Sequence, residues 1–141
     1  GGETWVEAGP VADLPDGPRH RGPERRGLAY NGHYGILAGL ASAVVDGRQL
    51  VLYSSPDHHG HERVDLVVWL SLDGGRSWPH RRRVHAGPSG YSSLAIGRPG
   101  TPSAGWLYAA CEGGDRRADE EVRVVRFTLA WLLAGDRAAT E

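Results

Sequence analysis

The clearest structural motif in this chain is Ser71-Leu72-Asp73-Gly74-Gly75-Arg76-Ser77-Trp78. Its polar and glycine positions suit a tight turn between two strands. The Asp73 carboxylate can accept hydrogen bonds from backbone N–H groups of its own turn, and Gly75 can supply a positive φ. The indole of Trp78 can fill the space beneath the sheet. Ser71, Asp73, Gly75 and Trp78 are therefore predicted to be structural residues of a strand-to-strand turn.

The same turn has a shortened second copy at the start of the chain. The stretch 71–78 matches the Asp-box pattern Ser-x-Asp-x-Gly-x-(Ser/Thr)-Trp, and Gly1-Gly2-Glu3-Thr4-Trp5 aligns with its second half. Repeated four-stranded units at a spacing of about 40–50 residues are typical of β-propellers. The repeat therefore predicts propeller blades.

Short apolar segments bounded by turn residues surround this stretch and are typical of strands. The Asp46-Gly47 pair, for example, lies between two apolar runs and favours a hairpin. Strands are predicted over 36–45, 49–54, 63–71 and 78–85, and then over 91–96, 106–111 and 122–128. The last segment, 129–134, predicts a short helix that ends before Gly135. The predicted fold is all-β: a partial β-propeller of about two four-stranded antiparallel blades with a short C-terminal helix.

Composition limits the size and the partners of this fold. With 141 residues, 40% hydrophobic and 23% charged, the chain can form one domain with a core. The net charge of −1 gives no field that would attract nucleic acid or an anionic membrane. No apolar run approaches the ~20 residues of a membrane span. The single Cys111 excludes a disulfide framework and a multi-cysteine metal site.

Three stretches make the chain resemble the bacterial exo-α-sialidase (neuraminidase) family, whose six-bladed propellers carry Asp boxes. The first is Leu52–Pro56 followed by Arg63-Val64-Asp65-Leu66. The second, Gly87–Leu94, is similar to the family's segment around its nucleophilic tyrosine, and the third, Gly105–Glu112, is similar to its strand ending in Leu-Tyr-Glu. The closing run 120–129 is similar to the family's last strand.

The resemblance implies an exo-α-sialidase that removes terminal sialic acid from glycoconjugates with retention. It makes Tyr91 the nucleophile, Arg63 a ligand of the substrate carboxylate, and Glu112 the acid that braces the arginine cluster. It implies no metal and no cofactor, a sialylated glycan as substrate, and a secreted or cell-surface protein.

The resemblance also places this chain in the C-terminal part of the propeller. One whole blade is expected at about 36–85 and an incomplete last blade at about 91–128. The acid/base aspartate, the other two arginines and the activating glutamate would lie before Gly1, on missing N-terminal blades of the same parent chain. We expect the fragment alone to be inactive, with an unpaired sheet edge and marginal stability or aggregation.

The chemistry of the substrate makes these residue types sensible. Sialic acid carries its carboxylate on the anomeric carbon, so a neutral phenol can approach where an anionic nucleophile would be repelled. The planar guanidinium of arginine can hold a carboxylate through two parallel hydrogen bonds. Each residue also has an ordinary interpretation: Tyr91 as a core tyrosine, Arg63 as an ion pair with Glu62 or Asp65, and Glu112 as a hairpin-end carboxylate.

The chain departs from the family pattern at three places. Ser93 stands where the family has aspartate, Cys111 stands where it has tyrosine, and the family's Cys-Gln-Gly-Ser segment is not recognisable near 34–41. The first two are changes of supporting residues. The third concerns the rim of the binding pocket.

Other polar clusters favour plain surface interpretations. Residues 57–62 could chelate a metal through their histidines, but a solvated loop is favoured because neighbouring loop histidines rarely converge on one ion. The arginines 81–83 alternate along a strand and form no single patch, so a solvated strand is favoured. The segment 97–100 lacks the Gly-Lys-Ser of a phosphate loop.

Two other functions remain open. One is a non-catalytic Asp-box propeller that binds glycan or protein. The other is a decayed or truncated gene segment with no activity. The upstream reading frame would separate them from an enzyme, because an enzyme needs an early arginine, an aspartate loop and a glutamate there.

Overall fold

The computed structural model describes residues 4, 11, 14–15, 38–45, 47–57 and 63–135. The described elements are, in chain order, β1 (Gly39–Val45), β2 (Arg48–Pro56), β3 (Val64–Ser71), β4 (His80–Ile96), β5 (Trp106–Gly113), β6 (Glu121–Thr128) and α1 (Leu129–Leu133). The strands are neighbours in the order β1-β2-β3-β4-β5-β6, every pair is antiparallel, and the sheet curls into a half-barrel. The chain is therefore all-β and consistent with a partial β-propeller, as predicted.

Strand β4 joins two sets of strands. Its first half pairs with β3, from His80 to His85 and again at Pro88. Its second half, from Ser89 to Ile96, pairs with β5. We refer to β1, β2, β3 and the first half of β4 as the first unit, and to the second half of β4, β5 and β6 as the second unit.

The prediction of two separate strands, 78–85 and 91–96, is wrong in this respect. The chain stays extended between them, and β4 runs through 17 residues. Gly87 at φ 88 and register shifts against both neighbouring strands bend the strand without ending it. A bulged strand can bend and twist while its pairing continues. We call residues 86–90 the β4 bend.

The main core lies between the two units. Alternate residues point inward because side chains along a strand alternate between its faces. The buried residues of this core are Leu50, Leu52, Val68, Leu70, Leu94, Leu107, Ala109, Phe127 and Leu132. Polar contacts cross it as well, since Ser54 Oγ lies 2.9 Å from Ser92 Oγ and accepts the Gly39 N–H at 3.2 Å. Burying this surface stabilises the packing of one unit on the other.

The first unit is apolar on its other face too. Val67, Trp69 and Trp78 are buried there with Leu14, and Tyr53 packs against them. The Tyr53 ring lies 5.7 Å from that of Trp69 and 6.2 Å from that of Trp78, in tilted and edge-on orientations. The first unit therefore buries apolar side chains on both of its faces.

The turn before Trp78 has the hydrogen bonds that its sequence predicts. Asp73 Oδ1 accepts the backbone N–H groups of Arg76 (3.0 Å) and Ser77 (2.9 Å), and Oδ2 accepts the Ser77 hydroxyl at 2.7 Å. Ser71 Oγ donates to Asp73 Oδ1 at 2.7 Å and accepts the Gly75 N–H at 2.8 Å. Gly75 has φ 92, as a turn of this kind requires. The Asp-box repeat itself stays a prediction, because 1–3 and 5 lie outside the described residues.

Asp73→Ala is expected to lower the thermal midpoint of unfolding at neutral pH. Hydrogen bonds from Ser77, and then from Ser71, hold the pKa of Asp73 well below its usual range. A lowered folded-state pKa stabilises the protein above the unfolded value of about 3.9, and this contribution is lost as the pH falls through the folded value. The difference between variant and wild type should therefore shrink in acid. Calorimetry from pH 7 to pH 2 measures the thermal midpoints of wild type and Asp73→Ala, with Asp115→Ala as control. Equal midpoints of wild type and Asp73→Ala at pH 7 would contradict the prediction.

Arg82 connects helix α1 to the first unit. Thr128 caps its start by accepting the Trp131 N–H at 3.2 Å, and Gly135 follows its end at φ 66. The Arg82 guanidinium lies 3.9 Å from the centre of the Trp131 ring and donates to the Trp131 carbonyl at 2.6 Å. Arg82 is therefore a packing residue, which corrects the expectation that all three arginines 81–83 lie on a solvated strand. Within the described residues, the helical part is too short to cross a membrane.

Large apolar side chains remain exposed on β1 and β6. Leu40 and Val44 lie on β1, and Val122 and Val124 lie on β6, and each is more than two-thirds exposed: 68%, 74%, 73% and 69%. Among the described strands, β1 pairs with β2 alone and β6 with β5 alone. In the part of the chain that the structure describes, both outer strands therefore have an unpaired edge together with exposed apolar side chains.

Candidate functional site

Tyr91 and Glu112 lie on the neighbouring strands β4 and β5, and Arg63 lies directly before β3, the other neighbour of β4. Arg63 directly precedes β3, Tyr91 lies just after the β4 bend, and Glu112 is the second-last residue of β5. The backbone joins the first two strands at this point, where the Ser89 N–H donates to the Arg63 carbonyl at 2.8 Å. Residues from distant parts of the sequence thus come to adjacent positions.

A β-bulge places Tyr91 opposite Glu112. Ser89 pairs with Gly113 and Ser92 pairs with Cys111, so the two residues Gly90 and Tyr91 face the single residue Glu112. Such bulges change the direction of a side chain and are frequent beside active sites. Tyr91 is 50% exposed, so it is not a core residue in this structure.

The Glu112 carboxylate contacts the backbone of the tyrosine strand. Its Oε2 accepts the Tyr91 N–H at 3.1 Å. The resemblance implies that Glu112 braces an arginine, but among the described residues this N–H is the one hydrogen-bond partner of the Glu112 carboxylate. Glu112 therefore links β5 to the segment that carries Tyr91.

Gly90 is a site residue that sequence reasoning missed. A Cβ at this position would collide with Glu112 Oε2 and lie 3.1 Å from Glu112 Cβ. The carboxylate can therefore reach the Tyr91 N–H because residue 90 has no side chain. The glycine directly before Tyr91 was visible in the sequence. The reason why a side chain does not fit there is the nearby Glu112 carboxylate, which the pairing of β4 with β5 brings to this position.

Gly90→Ala is expected to push the Glu112 carboxylate off the Tyr91 N–H. Overpacking of this kind lowers the free energy of unfolding by about 1–3 kcal/mol. Combining it with Glu112→Asp should recover part of the loss, because the shorter side chain withdraws from the added methyl group. Urea unfolding of both single variants and the double variant measures this coupling. Strictly additive losses would show that the two side chains do not meet.

The alternative interpretation of Arg63 is an ion pair with Glu62 or Asp65, and the structure does not show the pair with Asp65. The Asp65 carboxylate pairs with Arg83 at 3.5 Å, while Arg63 is exposed just before β3. Glu62, the other expected partner, lies outside the described residues. The convergence of the Arg63 guanidinium and the Tyr91 phenol on one hollow stays a prediction.

The two substitutions of supporting residues lie on opposite faces of the second unit. Cys111 is 2% exposed, and burial raises the pKa of its thiol, with Arg123 opposing the shift. A buried thiol with a raised pKa is a packing residue and a poor nucleophile. Ser93 is exposed on β4. The third departure, around 34–41, is described only from residue 38 onward.

The remaining polar clusters have structural partners or lie outside the described residues. Arg81 pairs with Asp57 at 3.1 Å and Arg83 with Asp65, on the opposite side of β4 from Arg82. The histidine-rich segment 58–62 lies outside the described residues, so the metal interpretation of 57–62 is not tested.

A separate cleft of about 380 Å³ lies at the other end of β5 and β6. Its lining residues are Val84, Trp106, Val125, Arg126, Phe127, Thr128 and Trp131. The Arg126 guanidinium covers the Trp106 ring at 4.6 Å. Because Trp106 begins β5 and Glu112 lies near its end, this cleft is distinct from the Tyr91 region.

Comparison with known proteins supports the fold. No family model matches the chain. The structure is similar to that of the Hadza microbial sialidase Hz136, with a TM-score of 0.53 and 25% sequence identity. The match covers 67% of this chain and 18% of the sialidase. The chain thus has a sialidase-like fold and spans less than a fifth of that protein's length.

Proposed function

We propose that this chain is the C-terminal part of an exo-α-sialidase, with a whole blade at about 36–85 and an incomplete one at about 91–128. The observation that carries this proposal is the meeting of three strands at Arg63, Tyr91 and Glu112. The Ser89 N–H to Arg63 carbonyl bond and the Tyr91 N–H to Glu112 bond connect all three positions through β4. The similarity to a sialidase fold supports the same assignment.

In the proposed reaction, Arg63 binds the carboxylate of a terminal sialic acid. Tyr91 attacks the anomeric carbon, and the glycan leaves with a proton from an acid on the rest of the parent chain. Water then cleaves the tyrosyl–sugar bond, so two inversions give net retention. A phenol with a usual pKa of about 10 needs a neighbouring base to react near neutral pH. That base, with the other arginines, would come from the missing blades.

Glu112 has a positioning role in this scheme. Its carboxylate holds the Tyr91 backbone through one oxygen, and the other oxygen can orient a guanidinium. Arginines gathered around a substrate carboxylate repel one another, so an acid among them stabilises the cluster. Glu112 thereby connects nucleophile and arginines.

The test is the stereochemistry of sialoside hydrolysis by the full-length parent protein. Proton NMR during the first minutes should show the α-anomer of free sialic acid before mutarotation. Release of the β-anomer first would exclude a double displacement. Binding of sialosides without release would favour the non-catalytic Asp-box propeller.

A further inference from the structure

Asp65 has an unusual backbone conformation two residues after Arg63. Its φ is 58, and it is the one non-glycine residue with a positive φ in the described part of the chain. One register shift against β4 spans Asp65, between Val64 and Leu66, and a second follows directly, between Leu66 and Val67. A non-glycine residue persists in this region when its surroundings hold it there, and such residues cluster at functional sites.

The contacts of Asp65 explain how it is held. Its Oδ1 accepts the Gly87 N–H at 3.0 Å, its Oδ2 lies 3.5 Å from Arg83, and its carbonyl accepts the Asp57 N–H at 2.9 Å. The carboxylate therefore reaches across from β3 to the β4 bend. Aspartate is one of the few residue types with a side chain short enough to favour the left-handed region and polar enough to bond there.

The β4 bend is held by hydrogen bonds on both sides. Ser89 binds twice, its N–H to the Arg63 carbonyl at 2.8 Å and its hydroxyl to the Gly87 carbonyl at 3.0 Å. The Pro88 carbonyl lies 3.1 Å from His85 Nε2 and accepts the Gly114 N–H at 3.3 Å. Within this network, Asp65 supplies the side-chain link from the Arg63 strand to the bend.

We propose that Asp65 is a positioning residue that sets the separation between Arg63 and Tyr91. The inference rests on the proposed function, since it concerns the carboxylate ligand and nucleophile of that reaction. Arg63 binds the carboxylate, and Tyr91 attacks the carbon that bears it. The two side chains thus contact neighbouring atoms of one substrate. A displacement of about 1 Å of one relative to the other can lower the rate about a hundredfold.

Three variants of the full-length parent separate the roles of Asp65. Asp65→Ala loses the acceptor and strains the backbone. Asp65→Gly removes the strain but still lacks the acceptor, whereas Asp65→Asn retains both an acceptor oxygen and tolerance of a positive φ. We expect KM for a sialoside to rise and kcat to fall, with kcat/KM reduced about tenfold to a hundredfold in Ala and Gly. Asn should stay within about threefold of wild type.

The control is Asp119→Ala, since Asp119 is an exposed hairpin carboxylate paired with Arg117 at 2.6 Å. A purely structural loss would reduce the amount of folded enzyme and thus the apparent kcat, while leaving KM unchanged. A raised KM in Asp65→Gly, rescued in Asp65→Asn, identifies positioning. Wild-type KM and kcat in both Ala and Gly would overturn the proposal.

Amide hydrogen exchange keeps this inference separate from the proposed function. In the full-length protein, exchange in residues 86–91 should be about tenfold faster in Asp65→Gly and unchanged in Asp65→Asn. Unchanged exchange in Asp65→Gly would overturn the link to the bend, even if the wild type hydrolyses sialosides. Loss of protection in a protein without sialidase activity would sustain the link and refute the proposed function.

Discussion

Replacing Tyr91 with phenylalanine in the full-length parent is expected to lower kcat for a sialoside reporter by at least about a thousandfold. The change removes the oxygen that attacks in the proposed reaction and leaves the ring. Because Tyr91 is 50% exposed and Glu112 binds its backbone N–H, neither packing nor the Glu112 contact needs the hydroxyl. KM should therefore change little. Steady-state kinetics measures both constants.

The matched control for this variant is Tyr108→Phe. Tyr108 lies on the neighbouring strand β5 and is half-buried, so the substitution removes the same oxygen from a tyrosine outside the proposed site. We expect kcat near the wild-type value in this control. Retention of the wild-type rate in Tyr91→Phe would refute the nucleophile assignment and favour a different class of propeller.

Arg63→Lys is expected to reduce kcat/KM for the same reporter by about tenfold to a hundredfold, mainly through KM. Lysine keeps the positive charge but cannot make two parallel hydrogen bonds to a carboxylate. The backbone role of residue 63, which accepts the Ser89 N–H at 2.8 Å, is unchanged by the substitution. The loss therefore reports the guanidinium itself.

A modified substrate identifies the partner of that guanidinium. The methyl ester of the sialoside lacks the carboxylate charge, so wild type and Arg63→Lys should hydrolyse it at similar kcat/KM. Arg98→Lys, at an exposed arginine in the β4–β5 connection, serves as the control. If Arg63→Lys lowered kcat/KM equally for the methyl ester and for the free acid, Arg63 would not be the carboxylate ligand.

Local patterns predicted most of the strands. The Asp-Gly pair and alternating apolar residues predicted β1, β2 and β3 close to their observed bounds. These features depend on interactions between near neighbours in sequence, such as turn conformation and the alternation of faces. The long β4 was missed because Gly87 and Pro88 usually interrupt strands, whereas here pairing to β3 and β5 continues on either side of them.

At the candidate site, the resemblance to a known family pointed to Arg63, Tyr91 and Glu112. The structure places Tyr91 and Glu112 on adjacent strands and Arg63 directly before the next one. The resemblance did not select Gly90 or Asp65. Gly90 leaves room for the Glu112 carboxylate, which lies 22 positions later in the chain. Asp65 accepts a hydrogen bond from the Gly87 N–H, which is also 22 positions later. Neither contact has a signature in the residues beside it.

The all-β class and the hydrogen-bonded turn at Asp73 could be predicted from the sequence, as could residue types suited to the proposed sialic acid chemistry. Turn conformation and side-chain alternation are local properties of the chain, so a short stretch of sequence is enough to predict them. The pairing of β4 with two sets of strands, and the contacts of Glu112 and Asp65 with the segment around Tyr91, became evident only from the folded structure. Those outcomes depend on strand register, which is set by the summed packing and hydrogen bonding of residues distant in sequence.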